Sequence, residues 1–165
     1  MAAAEVFVRA AAPSDVEFIV ASIRALAEYE RLSDECTPDP ERLCRHLFGD
    51  PRYAEALIAE IAGQRVGYAL FFHSYSTFLT RPGIFLEDLF VHPDARRSGA
   101  GKALLDALVG LATERGYGRV EWSVLDWNEP AIRFYRSLGA KPQDEWTIYR
   151  VAEESLTHWP VARRR

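Results

Sequence analysis

Apolar residues recur along the chain with two different periods, one typical of helices and the other typical of strands. In the second half of the chain, strand-like apolar runs alternate with helical stretches. In the first half, turn residues such as Gly49-Asp50-Pro51 and Gly63-Gln64 separate the predicted elements. The pattern predicts strands at 6–8, 56–61, 66–72, 84–92, 119–125 and 144–151, and helices at 14–31, 40–48, 102–115 and 128–139.

Two helix ends carry recognisable signals. Ser14 and Glu17 have the spacing of a capping box at the start of the first helix, and Gly139 suits a C-cap. Strands that alternate with helices over a single core predict an α/β domain, with a mixed central sheet flanked by helices. We therefore expect one domain over residues 1–165, with its core at about 5–156 and a C-terminal tail at 157–165.

Composition is that of an ordinary globular protein, with 165 residues, 48% apolar and 27% charged. No apolar run approaches the roughly 20 residues of a membrane span, and the N-terminus lacks signal-peptide features, so we expect a cytoplasmic protein. The net charge of −4 argues against a general affinity for nucleic acid. Two cysteines and four scattered histidines show no metal-ligand spacing, so no metal site is expected.

The stretch from Phe85 to Leu105 carries the clearest chemical signal. A strand with an acidic residue leads into a basic, glycine-containing loop and then into an amphipathic helix. Such a turn aims backbone N–H groups and a helix N-terminus at one point, which suits a phosphate. The P-loop pattern fails at Arg96 and Ala103, and the dinucleotide fingerprint fails at Leu104. Taken alone, the loop is also compatible with an ordinary strand-to-helix turn.

The pattern Arg96-x-x-Gly99-x-Gly101 resembles the coenzyme A loop of the GNAT superfamily of N-acetyltransferases. Two positions depart from the common pattern, because Ala100 is small and Arg97 stands where glycine is frequent. The order of predicted elements matches the GNAT fold over about residues 5–156. Three segments resemble the diamine (spermidine/spermine) and thialysine acetyltransferases, namely Leu-Ala-Glu-Tyr-Glu at 26–30, Leu-Glu-Asp-Leu-Phe-Val at 86–91 and Trp-Asn-Glu-Pro-Ala-Ile-Arg-Phe-Tyr at 127–135.

The resemblance implies that acetyl-CoA is the cosubstrate and assigns its binding to three parts of the chain. Backbone amides of the loop would hold the pyrophosphate, and the preceding strand would pair with the pantetheine arm. Asn128 either supports the cofactor region or caps its own helix. The expected cofactor-binding residues are Leu89, Phe90, Val91, Arg96, Arg97, Ser98, Gly99, Ala100, Gly101, Lys102, Asn128 and Tyr135.

The resemblance also assigns two catalytic residues. Tyr135 holds the place of the tyrosine that protonates the departing thiolate, a task that a neutral phenol suits. Glu87 holds the place of the acid that relays the amine proton, through water. Adjacent strand residues face opposite sides of a sheet, so we expect Asp88 to be structural. The alternatives are a half-buried helical tyrosine and a solvated strand acid.

The acceptor is implied to be a primary amine, a small polyamine or a thialysine- or lysine-like amine, attacking directly in a ternary complex. The expected acceptor-binding residues are Tyr29, Glu30, Glu87 and Asp144. Nearby acids at Glu28, Asp34 and Glu35 either favour a cation or form a solvated face. The family also implies a homodimer, and we expect no nucleic-acid or membrane partner. Another amine (an amino acid, an aminoglycoside or a protein lysine) and a non-catalytic acetyl-CoA-binding module remain alternatives.

Overall fold

A computed structural model of the chain describes residues 5–160, and the chain divides into two compact units between Leu125 and Asp126. The Arg-rich end of the sequence therefore lies outside the described residues. The first unit contains β1 (Val6–Ala10), α1 (Val16–Glu30), α2 (Pro40–Phe48), β2 (Glu55–Ile61), β3 (Gln64–Ser76), β4 (Arg81–Val91), α3 (Ala100–Glu114) and β5 (Val120–Trp122). The second contains α4 (Glu129–Ser137) and α5 (Glu153–His158).

The five strands form one sheet in the order β1-β2-β3-β4-β5. The first four strands are antiparallel to their neighbours, and β5 runs parallel to β4. The predicted mixed sheet flanked by helices is therefore confirmed. Within residues 5–160, no helix combines the length and the apolar character that a membrane span requires.

The core of the first unit lies where α1 and α2 cover the sheet. Apolar side chains from the two helices meet those of the three central strands, while α3 contacts all five strands. The buried cluster comprises Ile19, Leu47, Ala56, Ile58, Tyr68, Leu70 and Phe90. The hydrophobic effect on this packed face therefore holds α1, whose last turn reaches the candidate site, against β3 and β4.

Most predicted elements are confirmed, including α2 with its predicted bounds of 40–48 and the hairpin around Gly63. Gly139 has a φ of 85° and follows α4 as a left-handed residue. The predicted capping box at Ser14 and Glu17 is wrong. A short 3-10 turn at Pro13–Asp15 precedes α1, and the Asp15 carboxylate accepts the N–H of Ala12 at 2.7 Å.

The predicted strand at 144–151 is also wrong, because the structure assigns no strand to it. A strand requires a partner for its backbone groups, and the described part of the second unit, residues 126–160, contains none. The apolar side chains of this segment are consequently exposed, as for Trp146 at 77% and Tyr149 at 92%.

A buried ion pair fixes the N-terminal end of α1. Asp15 is fully buried and accepts hydrogen bonds from Arg9 at 2.7 and 3.0 Å, and Arg65 lies 2.9 Å from the same carboxylate. Arg9 also donates to Glu60 on β2. The Arg9 hydrogen bonds hold the pKa of Asp15 below its ordinary value, against the opposing effect of burial.

We expect Asp15→Asn to lower the free energy of unfolding by about 3 kcal/mol, because it removes the charge of a fully buried carboxylate that pairs with Arg9 and Arg65. A carboxylate whose pKa is depressed by folding stabilises the fold above its unfolded pKa and loses that contribution as pH falls through its folded pKa. Urea unfolding at neutral pH and at about pH 3 should therefore show a weaker pH dependence in the variant.

Asp106→Asn provides the control. Asp106 pairs with Lys102 at 2.6 Å, but its side chain is 60% exposed, so its loss should cost under about 1 kcal/mol. Equal destabilisation by the two substitutions would contradict the role given to the buried pair.

Candidate active site

Strand β4 is paired on its two sides over different lengths. On the β3 side the ladder runs from Arg81 to Val91, whereas on the β5 side pairing extends only from Ile84 to Leu86. Residues 87–91 therefore present a backbone edge that β5 does not cover. The family resemblance implies that the pantetheine arm pairs with this strand at Leu89, Phe90 and Val91.

A β-bulge interrupts the β3–β4 ladder at the acidic residues. Asp88 pairs with Leu70, but Leu86 pairs with Phe71, so Glu87 is the extra residue between them. Glu87 is exposed, whereas Asp88 is partly buried beside β3. The expectation that Asp88 is structural assumed that adjacent strand residues face opposite sides of the sheet. The bulge interrupts that alternation.

The loop after β4 has the geometry that the sequence predicted for an anion cradle. A short turn at Pro93–Ala95 leads to two left-handed residues, Arg97 with a φ of 66° and Gly99 with a φ of 92°. Helix α3 begins immediately afterwards at Ala100. The N–H groups of its first turn point out of the helix end, where they favour an anion together with the helix dipole.

A cavity of about 660 Å³ borders this loop on the side of the β2–β3 hairpin. Its cationic side chains are Arg65 and Arg97, and Ser98, His92 and Asp94 also line it. The two guanidinium groups suit an anionic part of a ligand held by the loop, although Arg65 is already paired with Asp15.

A second cavity, of about 200 Å³, lies beside the last turn of α1. Three acids and several apolar side chains share its lining. The residues that line it are Ile23, Leu26, Ala27, Glu30, Leu32, Glu35, Cys36 and Asp88. Glu30 was predicted to bind the acceptor and lies here, whereas Asp88, Leu32 and Cys36 were not predicted.

The acids of this cavity influence one another. Burial raises the pKa of Glu30, and the nearby charge of Asp88 raises it further. Burial also raises the pKa of Asp88, while a hydrogen bond of 2.8 Å from the Tyr68 hydroxyl opposes that rise. Partly desolvated carboxylates that repel each other favour a bound cation between them.

Tyr29, in the last turn of α1, contacts the loop that follows β4. Its ring lies 5.1 Å from the guanidinium carbon of Arg96, a cation–π contact. Tyr29 neighbours Glu30 at the end of α1, and Arg96 precedes the left-handed pair in the loop. The structure therefore brings together one residue predicted for the acceptor and one predicted for the cofactor.

The remaining predicted residues belong to the second unit. Asn128 is buried, and its Oδ1 accepts the Ala131 N–H at 3.3 Å, so it caps α4. Tyr135 lies within α4, with its ring 5.4 Å from that of Phe134. Asp144 is exposed in the irregular segment that follows. Their parts in catalysis or binding stay predictions.

Comparison with known proteins places these features in a family. The chain matches the Acetyltransferase (GNAT) family over residues 20–140. It is 35% identical to thialysine N-epsilon-acetyltransferase of Bos taurus over 162 residues, covering 92% of this chain and 95% of the relative. It is 44% identical to L-ornithine N5-acetyltransferase NATA1 of Arabidopsis thaliana over 90 residues, covering 54% and 40% respectively.

The fold has solved counterparts as well. An integron cassette protein from V. cholerae superposes with a TM-score of 0.77 at 22% identity, covering 93% of this chain and 96% of that one. The chain therefore belongs to the GNAT acetyltransferase family and is an acyltransferase that acts on amines. Its predicted resemblance to the thialysine acetyltransferases is confirmed.

Enzymes of this family use acetyl-CoA, and a helix N-terminus such as that of α3 favours an anionic group. A Cβ built at Gly99 would meet no atom within 4 Å, so the space above the turn is open to a ligand. Within residues 5–160, no cluster of three or more His, Cys, Asp or Glu is placed to hold a metal ion.

Gly99→Ala should weaken acetyl-CoA binding about tenfold, because a left-handed alanine costs roughly 1–2 kcal/mol and the loop would relax from its cradle geometry. Titration calorimetry with acetyl-CoA measures this change. Gly110→Ala in the middle of α3 is the matched control, since an added Cβ there also meets nothing within 4 Å. It should leave affinity unchanged and stabilise the helix slightly. Equal affinities of the two variants would contradict the role of the loop.

Proposed function

We propose that this enzyme transfers the acetyl group of acetyl-CoA to the primary amine of a small cation, with both substrates bound together. The acceptor class is a polyamine or the side-chain amine of a thialysine- or lysine-like amino acid. The observation that carries this proposal is the cavity in which Glu30, Glu35 and Asp88 lie beside the β4 bulge.

The lining of that cavity suits both parts of such an acceptor. The carboxylates attract an ammonium group, and they gain most from a cation because burial has raised the pKa of Glu30 and of Asp88. Apolar side chains from Ile23, Leu26 and Leu32 suit the methylene chain between two amines. Relatives named for thialysine and L-ornithine support an acceptor with a side-chain amine.

Acetyl-CoA supplies an acetyl group activated as a thioester. In the proposed reaction, Glu87 accepts through water the proton that the amine nitrogen loses as it becomes an amide. Tyr135 donates a proton to the departing sulfur, and a backbone N–H in 89–91 stabilises the oxygen that gains charge. The family resemblance supports the assignments of Tyr135 and Glu87, and the uncovered β4 edge supports that of the backbone.

We also propose that the protein forms a homodimer through the segment 146–151. Its apolar side chains are exposed, with Trp146 at 77% and Ile148 at 71%. Exposed apolar groups concentrated in one segment are typical of an interaction surface. Sedimentation equilibrium of the wild-type chain and of Trp146→Ser tests this proposal.

The acceptor proposal is tested by thiol release from acetyl-CoA across a panel of amines. The panel contains spermidine, spermine, putrescine, thialysine, lysine, ornithine, other amino acids and an aminoglycoside. We expect the highest kcat/KM with a diamine or a diamino acid and little with a neutral monoamine. Faster turnover of a neutral amine than of every dication would contradict the acidic-cavity argument.

Tyr135→Phe should lower kcat by about 10²-fold or more while the dissociation constant of acetyl-CoA changes little, because only proton donation is removed. Steady-state kinetics and calorimetry separate the two effects. Tyr75→Phe is the control, since Tyr75 is a 58% exposed tyrosine on β3. Unchanged kcat in Tyr135→Phe would remove this tyrosine from the mechanism.

A further inference from the structure

Tyr68 places a hydroxyl group against Asp88, which lines the acidic cavity. The residue is fully buried within the α1–α2 face of the sheet, and its ring lies 6.4 Å from that of Phe90. Its hydroxyl donates to Asp88 Oδ2 at 2.8 Å. Packing in the core explains the buried ring of Tyr68 but does not explain its hydroxyl group.

The register of the sheet explains why these two groups meet. Tyr68 pairs with Phe90, and Leu70 pairs with Asp88, so Tyr68 and Asp88 are diagonal neighbours on β3 and β4. Diagonal neighbours on one face are within reach of an aromatic side chain. The bulge at Glu87 is next to this contact, between the Leu70–Asp88 pair and the Phe71–Leu86 pair.

We propose that Tyr68 is a positioning residue of the acceptor cavity, whose hydroxyl fixes Asp88 Oδ2 so that Oδ1 is presented to the acceptor ammonium group. This inference rests on the proposed amine acceptor. It adds a residue that does not line the cavity itself. A carboxylate held by one hydrogen bond keeps a single orientation, and the bound ammonium supplies its second partner.

Several charged and titratable groups lie around Asp88. Glu30 extends from the end of α1, Glu35 and Cys36 follow α1, and Tyr68 lies on β3. Glu87 adjoins Asp88 on β4. Burial raises the pKa of Asp88 and so opposes its ionised form, whereas the hydrogen bond from the Tyr68 hydroxyl favours the ionised carboxylate.

Tyr68→Phe tests the proposal, because it removes only the hydroxyl group. We expect kcat/KM for the best amine of the panel to fall about tenfold, mainly through KM. The KM for acetyl-CoA should not change. Because the hydrogen bond lowers the pKa of Asp88, its loss should raise that pKa and move the acidic limb of the kcat/KM profile to higher pH.

Tyr117→Phe is the matched control. Its hydroxyl also lies 2.8 Å from a side-chain partner, His73 Nδ1, and does not belong to the cavity. This variant should keep wild-type kinetics. Asp88→Asn should abolish the effect of Tyr68→Phe, so the double variant should match Asp88→Asn alone.

A readout independent of turnover separates this inference from the proposed function. Carbon-detected NMR titration of the Asp88 carboxyl group should show a higher pKa in Tyr68→Phe than in the wild type. If no amine is acetylated by the wild type, the acceptor proposal fails, and this titration still decides whether Tyr68 controls Asp88. An unchanged Asp88 titration, or an equal loss of kcat/KM for amine and acetyl-CoA, would overturn the positioning role.

Discussion

The one-sided pairing of β4 is the constraint on which the site depends. β3 covers one edge along the whole strand, whereas β5 leaves the other edge at Leu86. Gly67 helps to hold the covered side, because a Cβ there would lie 2.5 Å from the Phe90 carbonyl oxygen. Pairing with β3 along its whole length therefore fixes the position of β4, while β5 pairs with only three of its residues.

Charged side chains lie at both ends of α1. At its start, Asp15 is buried against Arg9 and Arg65, which ties the helix to β1 and to the β2–β3 hairpin. At its end, Glu30 lines the cavity with Asp88. The first pair is neutralised and stabilises the fold, whereas the second consists of like charges and is unfavourable without a cation.

Local patterns were sufficient to predict most of the fold. The hairpin at Gly63 and the bounds of α2 depend on nearby residues, so the sequence contains their signals. The segment 144–151 has strand-like residues but no strand partner in the described part of its own unit, residues 126–160. A strand forms only when a second segment pairs with it, and the residue types of one segment do not show whether such a partner exists.

The same distinction explains which site residues the sequence missed. The loop was predictable because Gly99 and the following helix act through their own backbone. Asp88 was not predictable as a residue of the cavity. The bulge beside it is defined by the pairing of β4 with β3, and the alternation of residues along β4 does not indicate a bulge. Tyr68 was missed for a related reason, since an apolar strand predicts its buried ring and gives no information about the partner of its hydroxyl. Buried polar groups such as these require partners on other elements, so they are where sequence reasoning fails first and where function is most often found.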